Sequence, residues 1–167
     1  MRPNNLYRRT FMIGLSSLTI VPNVAHSDDV IDLEWSDLIP EGSRKTSNLF
    51  QGIIDHDQSS LISEQPKSSG IRTDWNGQNV RIPGYIVPID YSGTGVTAFI
   101  LVPFVGACVH VPPPPANQLV FVTTEKPFES TGLFEAVQVT GMFGTASTKT
   151  QMADVGYALS ADQIVSL

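Results

Sequence analysis

A chain of 167 residues with 16 Asp and Glu, 10 Lys and Arg, and a net charge of −6 is long enough to bury one core. It is too acidic to favour phosphate backbones or anionic headgroups, so nucleic acid and peripheral membrane binding are excluded as leading readings. A single cysteine rules out an internal disulfide framework.

In chain order, residues 1–27 read as an export signal peptide. Arg2, Arg8 and Arg9 form a positive start, Phe11 to Val21 an apolar stretch, and Ala25-His26-Ser27 a small-residue cleavage site, which predicts periplasmic localisation with cleavage near Ser27. Arg8-Arg9-Thr10-Phe11-Met12 is similar to a twin-arginine signal, but Tyr7 and Ile13 stand where its fuller form has Ser or Thr and Lys. General export therefore stays open beside the twin-arginine route. The apolar stretch is shorter than the roughly 20 residues a bilayer span needs, and no later segment is longer, so no transmembrane segment is expected after signal removal. Cleavage leaves 7 Lys and Arg against 16 Asp and Glu, a net charge of −9.

Residues 28–70 form a polar N-terminal extension expected to pack on the following domain. Ile31, Leu33 and Trp35 alternate as in a short extended piece, and Leu49, Phe50, Ile53, Ile54, Leu61 and Ile62 approach helical spacing, which predicts one short helix. Pro66 to Gly70 read as a linker.

Residues 71–167 carry the strand signals. Asn76-Gly77 predicts a tight hairpin turn with strands following. The expected strands are Val80 to Ile89, Val96 to Val102, Leu119 to Thr123, Phe134 to Thr140 with a bend at Gly141 to Gly144, and a short closing piece at Tyr157 to Leu159. About five short strands with little helix predict an all-β fold, a small OB-like antiparallel barrel. Gly84 sits where one long strand must coil sharply to serve both sides of it.

The stretch from Gly106 to Gln118, GACVHVPPPPANQ, carries the candidate chemistry. A residue before proline is pushed out of the α region, so the chain entering Pro112, Pro113, Pro114 and Pro115 is extended. Alternation then places Cys108 and His110 on one face and Ala107, Val109 and Val111 on the other. Thiolate and imidazole at this spacing suit zinc or copper, with His56, between Asp55 and Asp57, as a third candidate ligand. Two other readings compete: a buried structural cysteine in a pure interaction module, and an envelope thiol enzyme in which His110 draws the proton from Cys108. Gly106 permits close backbone approach, the prolines hold the segment's shape, and Asn117 is placed to fix a loop through backbone hydrogen bonds.

Trp35 to Pro40, Arg81 to Pro88, Phe99 to Gln118 and the Gly156-Tyr157 region together resemble an uncharacterised family of exported bacterial proteins, domain of unknown function 3299. The resemblance implies envelope localisation and makes Cys108 and His110 motif positions. By analogy it implies an accessory role beside an envelope transporter or another periplasmic protein. The leading expectation is a non-enzymatic exported binding protein with a metal or partner site at Cys108 and His110.

Overall fold

The computed structural model describes residues 29–42, 65–107 and 113–167. The helix expected between Leu49 and Ile62, and the expected signal peptide, lie outside these residues. Among the described residues no helix is long and apolar enough to cross a membrane.

The fold is all-β. Among the described residues its strands are β1 (Ile31–Asp32), β2 (Asn79–Ser92), β3 (Gly95–Val102), β4 (Val120–Phe128), β5 (Ala136–Lys149) and β6 (Asp154–Ser166), with a 3-10 turn at Ala116–Gln118. The five long strands pair in the order β2-β3-β4-β6-β5, and β5 returns to β2, so the hydrogen bonds form a closed ring. This is the OB-like arrangement expected from the strand count, with two departures from a purely antiparallel sheet. Strands β4 and β6 run parallel, Val120 opposite Tyr157, and β1 lies parallel to the start of β2, Ile31 opposite Val80.

One strand closes the ring by serving two neighbours. The first half of β2, Asn79 to Tyr85, pairs with β5, and the second half, from Tyr85, pairs with β3. Gly84 stands at the changeover, where an added Cβ would lie 2.8 Å from Leu101 Cγ and 2.9 Å from the Val102 carbonyl oxygen. Only a residue without a side chain lets the coiled strand come that close to β3.

Period-two alternation then produces two apolar layers. Val80, Ile82, Ile86, Phe99, Leu101, Val122, Val139 and Leu159 fill the ring. Val87, Ile100, Val102 and Leu119 point outward, yet they too are buried, against Ala107 from the connection after β3 and Ala153 and Val155 around the β5–β6 turn. The near-continuous apolar runs Phe99 to Val102 and Leu119 to Val122 therefore cover both faces of the sheet, as such runs do when each side has a neighbour.

Several expectations need correction in detail. Asn76-Gly77 does form a turn, with Gly77 at φ 72°, but among the described residues no strand leads directly into it, so it is not a hairpin. Asn76 instead reaches β5, its Oδ1 accepting from the Thr145 amide at 2.6 Å and its Nδ2 donating to Thr145 Oγ1 at 3.0 Å. Strand β5 does not end at Gly141 but runs on through Gly144 to Lys149. The closing piece is no three-residue fragment but the 13-residue β6.

The loop before β5 is tied to the end of β6 by one carboxylate. Glu135 accepts from Ser166 Oγ at 2.6 Å, the Thr131 amide at 2.6 Å and Ser130 Oγ at 2.8 Å. Burial pushes the carboxyl pKa up, but the hydrogen bonds from Ser166, Thr131 and Ser130 outweigh it and hold the pKa below the ordinary value. A depressed carboxyl pKa adds stability that is fully present above the unfolded value, about 4.3, and lost as pH falls through the folded one. Thermal midpoints of wild type and Glu135→Gln are expected to differ at pH 7 and to converge toward pH 3. A gap that stays constant across that range would refute the ion's part in it.

Candidate functional site

The connection from β3 to β4 carries the cysteine–histidine–proline stretch. After β3 the chain turns at Gly106, whose φ of 92° suits a residue with no Cβ. Ala107 follows, fully buried against Val87, Ile100, Val102, Leu119, Ala153 and Val155. Cys108, His110 and Pro112 lie outside the described residues, as does His56. Among the described residues no three His, Cys, Asp or Glu side chains come together as a metal site.

The far side of the stretch is well anchored. Pro115 has φ −54° and ψ 151°, the polyproline conformation that a proline run imposes, and the chain then tightens into the 3-10 turn at Ala116–Gln118. Gln118 donates its amide N–H to the Pro115 carbonyl at 2.8 Å. This turn packs against β6 at Gly156, where an added Cβ would come within 2.7 Å of the Ala116 carbonyl oxygen.

Three side-chain amides clasp the N-terminal extension to this turn. Asn117 Nδ2 donates to the Gly70 carbonyl at 3.0 Å and to Ser69 Oγ at 3.1 Å. Gln118 Nε2 donates to the Trp35 carbonyl at 3.0 Å and to the Asn117 carbonyl at 2.9 Å. Gln65 behaves like a strand residue: its Nε2 donates to the Asp154 carbonyl and its Oε1 accepts from the Asp154 amide, both at 2.8 Å. The same Nε2 donates to the Pro114 carbonyl at 2.8 Å. Asn117 and Gln118 are 2% and 3% exposed, so these bonds answer the desolvation that buried amides would otherwise suffer.

Aromatic groups complete the clasp. Trp35 Nε1 donates to the Pro83 carbonyl at 2.7 Å, beside the coil of β2. Tyr157, fully buried on β6, donates its hydroxyl to the Leu38 carbonyl at 2.9 Å and accepts from the Arg72 amide at 2.8 Å. Burial pushes its phenol pKa up, so it stays a neutral donor. Arg72 lies 4.6 Å from the centre of the Trp75 ring, pairs with Asp74 at 2.9 Å and donates to the Asp37 carbonyl at 3.1 Å.

Four stretches far apart in sequence thus meet: Trp35 to Leu38, Pro83, Pro114 to Gln118, and Gly156-Tyr157. Of these positions, sequence reasoning singled out Pro114, Pro115 and Asn117 as motif residues, and Asn117 does bond a backbone carbonyl. It gave no role to Gln65 or Gln118, and it placed Tyr157 in a closing strand without its hydrogen bonds, because the partners of such side chains lie far away along the chain. The available signal was that Gln118 opens directly onto the apolar run Leu119 to Val122.

The comparison with curated proteins found no match. A crystal structure of a DUF3299 family protein from Pseudomonas aeruginosa PAO1 is 31% identical, with a TM-score of 0.68 over 83% of this chain and 96% of that one. The family described as "Protein of unknown function (DUF3299)" matches residues 35–166, a span that begins at the tryptophan of the clasp and ends with β6. On that match and that shared fold, the chain belongs to the DUF3299 family.

Proposed function

We propose that this protein is an exported, periplasmic, non-enzymatic accessory protein that holds a zinc or copper ion through Cys108 and His110. The observation that carries the reading is Ala107. It is fully buried in the outer apolar layer. Successive side chains of an extended segment alternate, and a proline run favours extension of the residues before it, so residues 108 and 110 are expected on the side opposite Ala107, away from that hydrocarbon. A thiolate and an imidazole two residues apart on one side of a strand converge on a borderline metal, and His56 supplies a further imidazole from the extension. The clasp lends support, because Gln65 and Asn117 hold the downstream end of the stretch to the extension that carries His56. The role fits a partner in an envelope transport or metal-handling system, which an acidic periplasmic protein approaches through basic surfaces or cations.

Elemental analysis of full-length protein, purified without affinity tag or chelator, tests this. About one zinc or copper per chain is expected, falling at least tenfold in Cys108→Ser and in His110→Ala. Absence of metal, together with a Cys108 thiol that alkylates only after denaturation, would make it a core residue instead. Rapid alkylation of the native, metal-free thiol with a depressed pKa would favour a nucleophile.

A further inference from the structure

The outer apolar layer is incomplete. It runs unbroken from Val87 through Ile100 and Leu119 to Ala153 and Val155. Beside Phe121 it opens into a groove of about 440 Å³, floored by Pro88 and Ile89 of β2 and Phe121 of β4, and walled by Thr148 and Lys149 at the end of β5 and Thr150 to Met152 of the β5–β6 turn. Ile89 and Met152 remain 40% and 42% exposed there, whereas Val87 and Ile100 of the same layer are fully buried. The volume lies within the range of roughly 300–1,000 Å³ common for small-molecule sites.

The two sides of the groove differ chemically. Its floor presents no polar side chain. The wall turn is held by Thr150, whose hydroxyl donates to the Ala153 carbonyl at 2.8 Å and accepts from the Met152 and Ala153 amides. That hydroxyl is fully engaged. Lys149 makes no ion pair among the described residues, whereas Arg72 and Arg81 are paired with Asp74 and Asp32. Lys149 therefore brings a cation to the lining of an apolar trough, with Asp154 opposite it in the β5–β6 ladder, in a chain of net charge −6. One cation is too few for a polyanion, and the surrounding acidity opposes one. A single anionic head on a hydrocarbon body matches both sides.

We propose that this groove binds an aliphatic monocarboxylate, its hydrocarbon laid on Pro88, Ile89, Phe121 and Met152 and its carboxylate at Lys149. Binding through Lys149 and the apolar floor calls on neither Cys108 nor His110, so Cys108→Ser is expected to bind the same ligand unchanged. The test is calorimetric titration of the full chain with decanoate below its micellar concentration, with amide NMR shifts to locate the ligand. One saturable site is expected, with shifts centred on residues 88–89, 121 and 148–152. Lys149→Glu is expected to weaken binding at least tenfold, decanol to bind at least tenfold more weakly than decanoate, and Ile89→Trp to fill the groove and abolish binding. No saturation with folded wild type, equal affinity for decanol, full binding by Lys149→Glu, or shifts clustered elsewhere would each overturn the assignment. Should Ile89→Trp fail to fold, the charge variant and the alcohol decide.

Discussion

Gly141→Val is expected to cost about 3 kcal/mol or more and to leave little folded protein, whereas Gly144→Ala, three residues along the same strand, is expected to cost less than about 1 kcal/mol. At Gly141 the ladder between β5 and β6 shifts register, and β6 crosses so close that an added Cβ would run into the Ser160 carbonyl oxygen and stand 2.9 Å from Ala161 Cα. The obstacle is backbone that pairs with β4 on its other side at Ser160 and Ala161, so it cannot retreat without opening the ring. At Gly144 the nearest atom to an added Cβ is Asn76 Oδ1 at 3.8 Å, an ordinary contact. Urea midpoints of the two variants make the comparison. Similar losses would mean that the crossing at Gly141 is not what demands glycine there.

Tyr157→Phe is the second large effect. It removes one oxygen and leaves the ring in place, 5.1 Å from Phe143 between centroids, so the hydrocarbon packing survives. The Leu38 carbonyl and the Arg72 amide then lose a shared partner in a region where Leu38 has no exposed surface. Leaving buried groups unpaired costs about 1–3 kcal/mol. The loss should be local. Hydrogen exchange at Arg72 and along residues 31–39 is expected to accelerate tenfold or more, while Phe99 to Leu101 in β3 keep their protection relative to global unfolding. Uniform acceleration across β3 and the extension would instead place Tyr157 in the general stability of the ring.

The fold was legible wherever apolar alternation and backbone chemistry coincide. Gly84 inside an apolar run, next to Pro83, announced a coiled strand, and β2 is that strand. What stayed hidden follows from physics that a single sequence does not display. Ser160, Asp162 and Gln163 interrupt the apolar pattern of β6, so only Tyr157 to Leu159 stood out, although neighbours on both sides hold the whole strand in register. Parallel pairing of β4 with β6 depends on which edge remains free after three other strands have paired, a property of the assembled ring. The clasp escaped notice because a buried amide is identified by its partners. Those of Gln65 and Gln118 lie as many as 89 and 83 residues away along the chain. Of the proposed metal site the sequence exposed residue type and spacing, and Ala107 is the described position next to Cys108 in the chain.

Strand β6 comes last in the order of synthesis yet sits between β4 and β5, made before it. While a ribosome is still translating residues 154–166, each of those earlier strands has a neighbour on one flank only. Non-local pairings of this kind are slow to form and leave sticky edges in the interim. Closure of the ring therefore waits for β6, and slow synthesis of residues 154–166 would lengthen the interval in which chains with open edges can aggregate with one another.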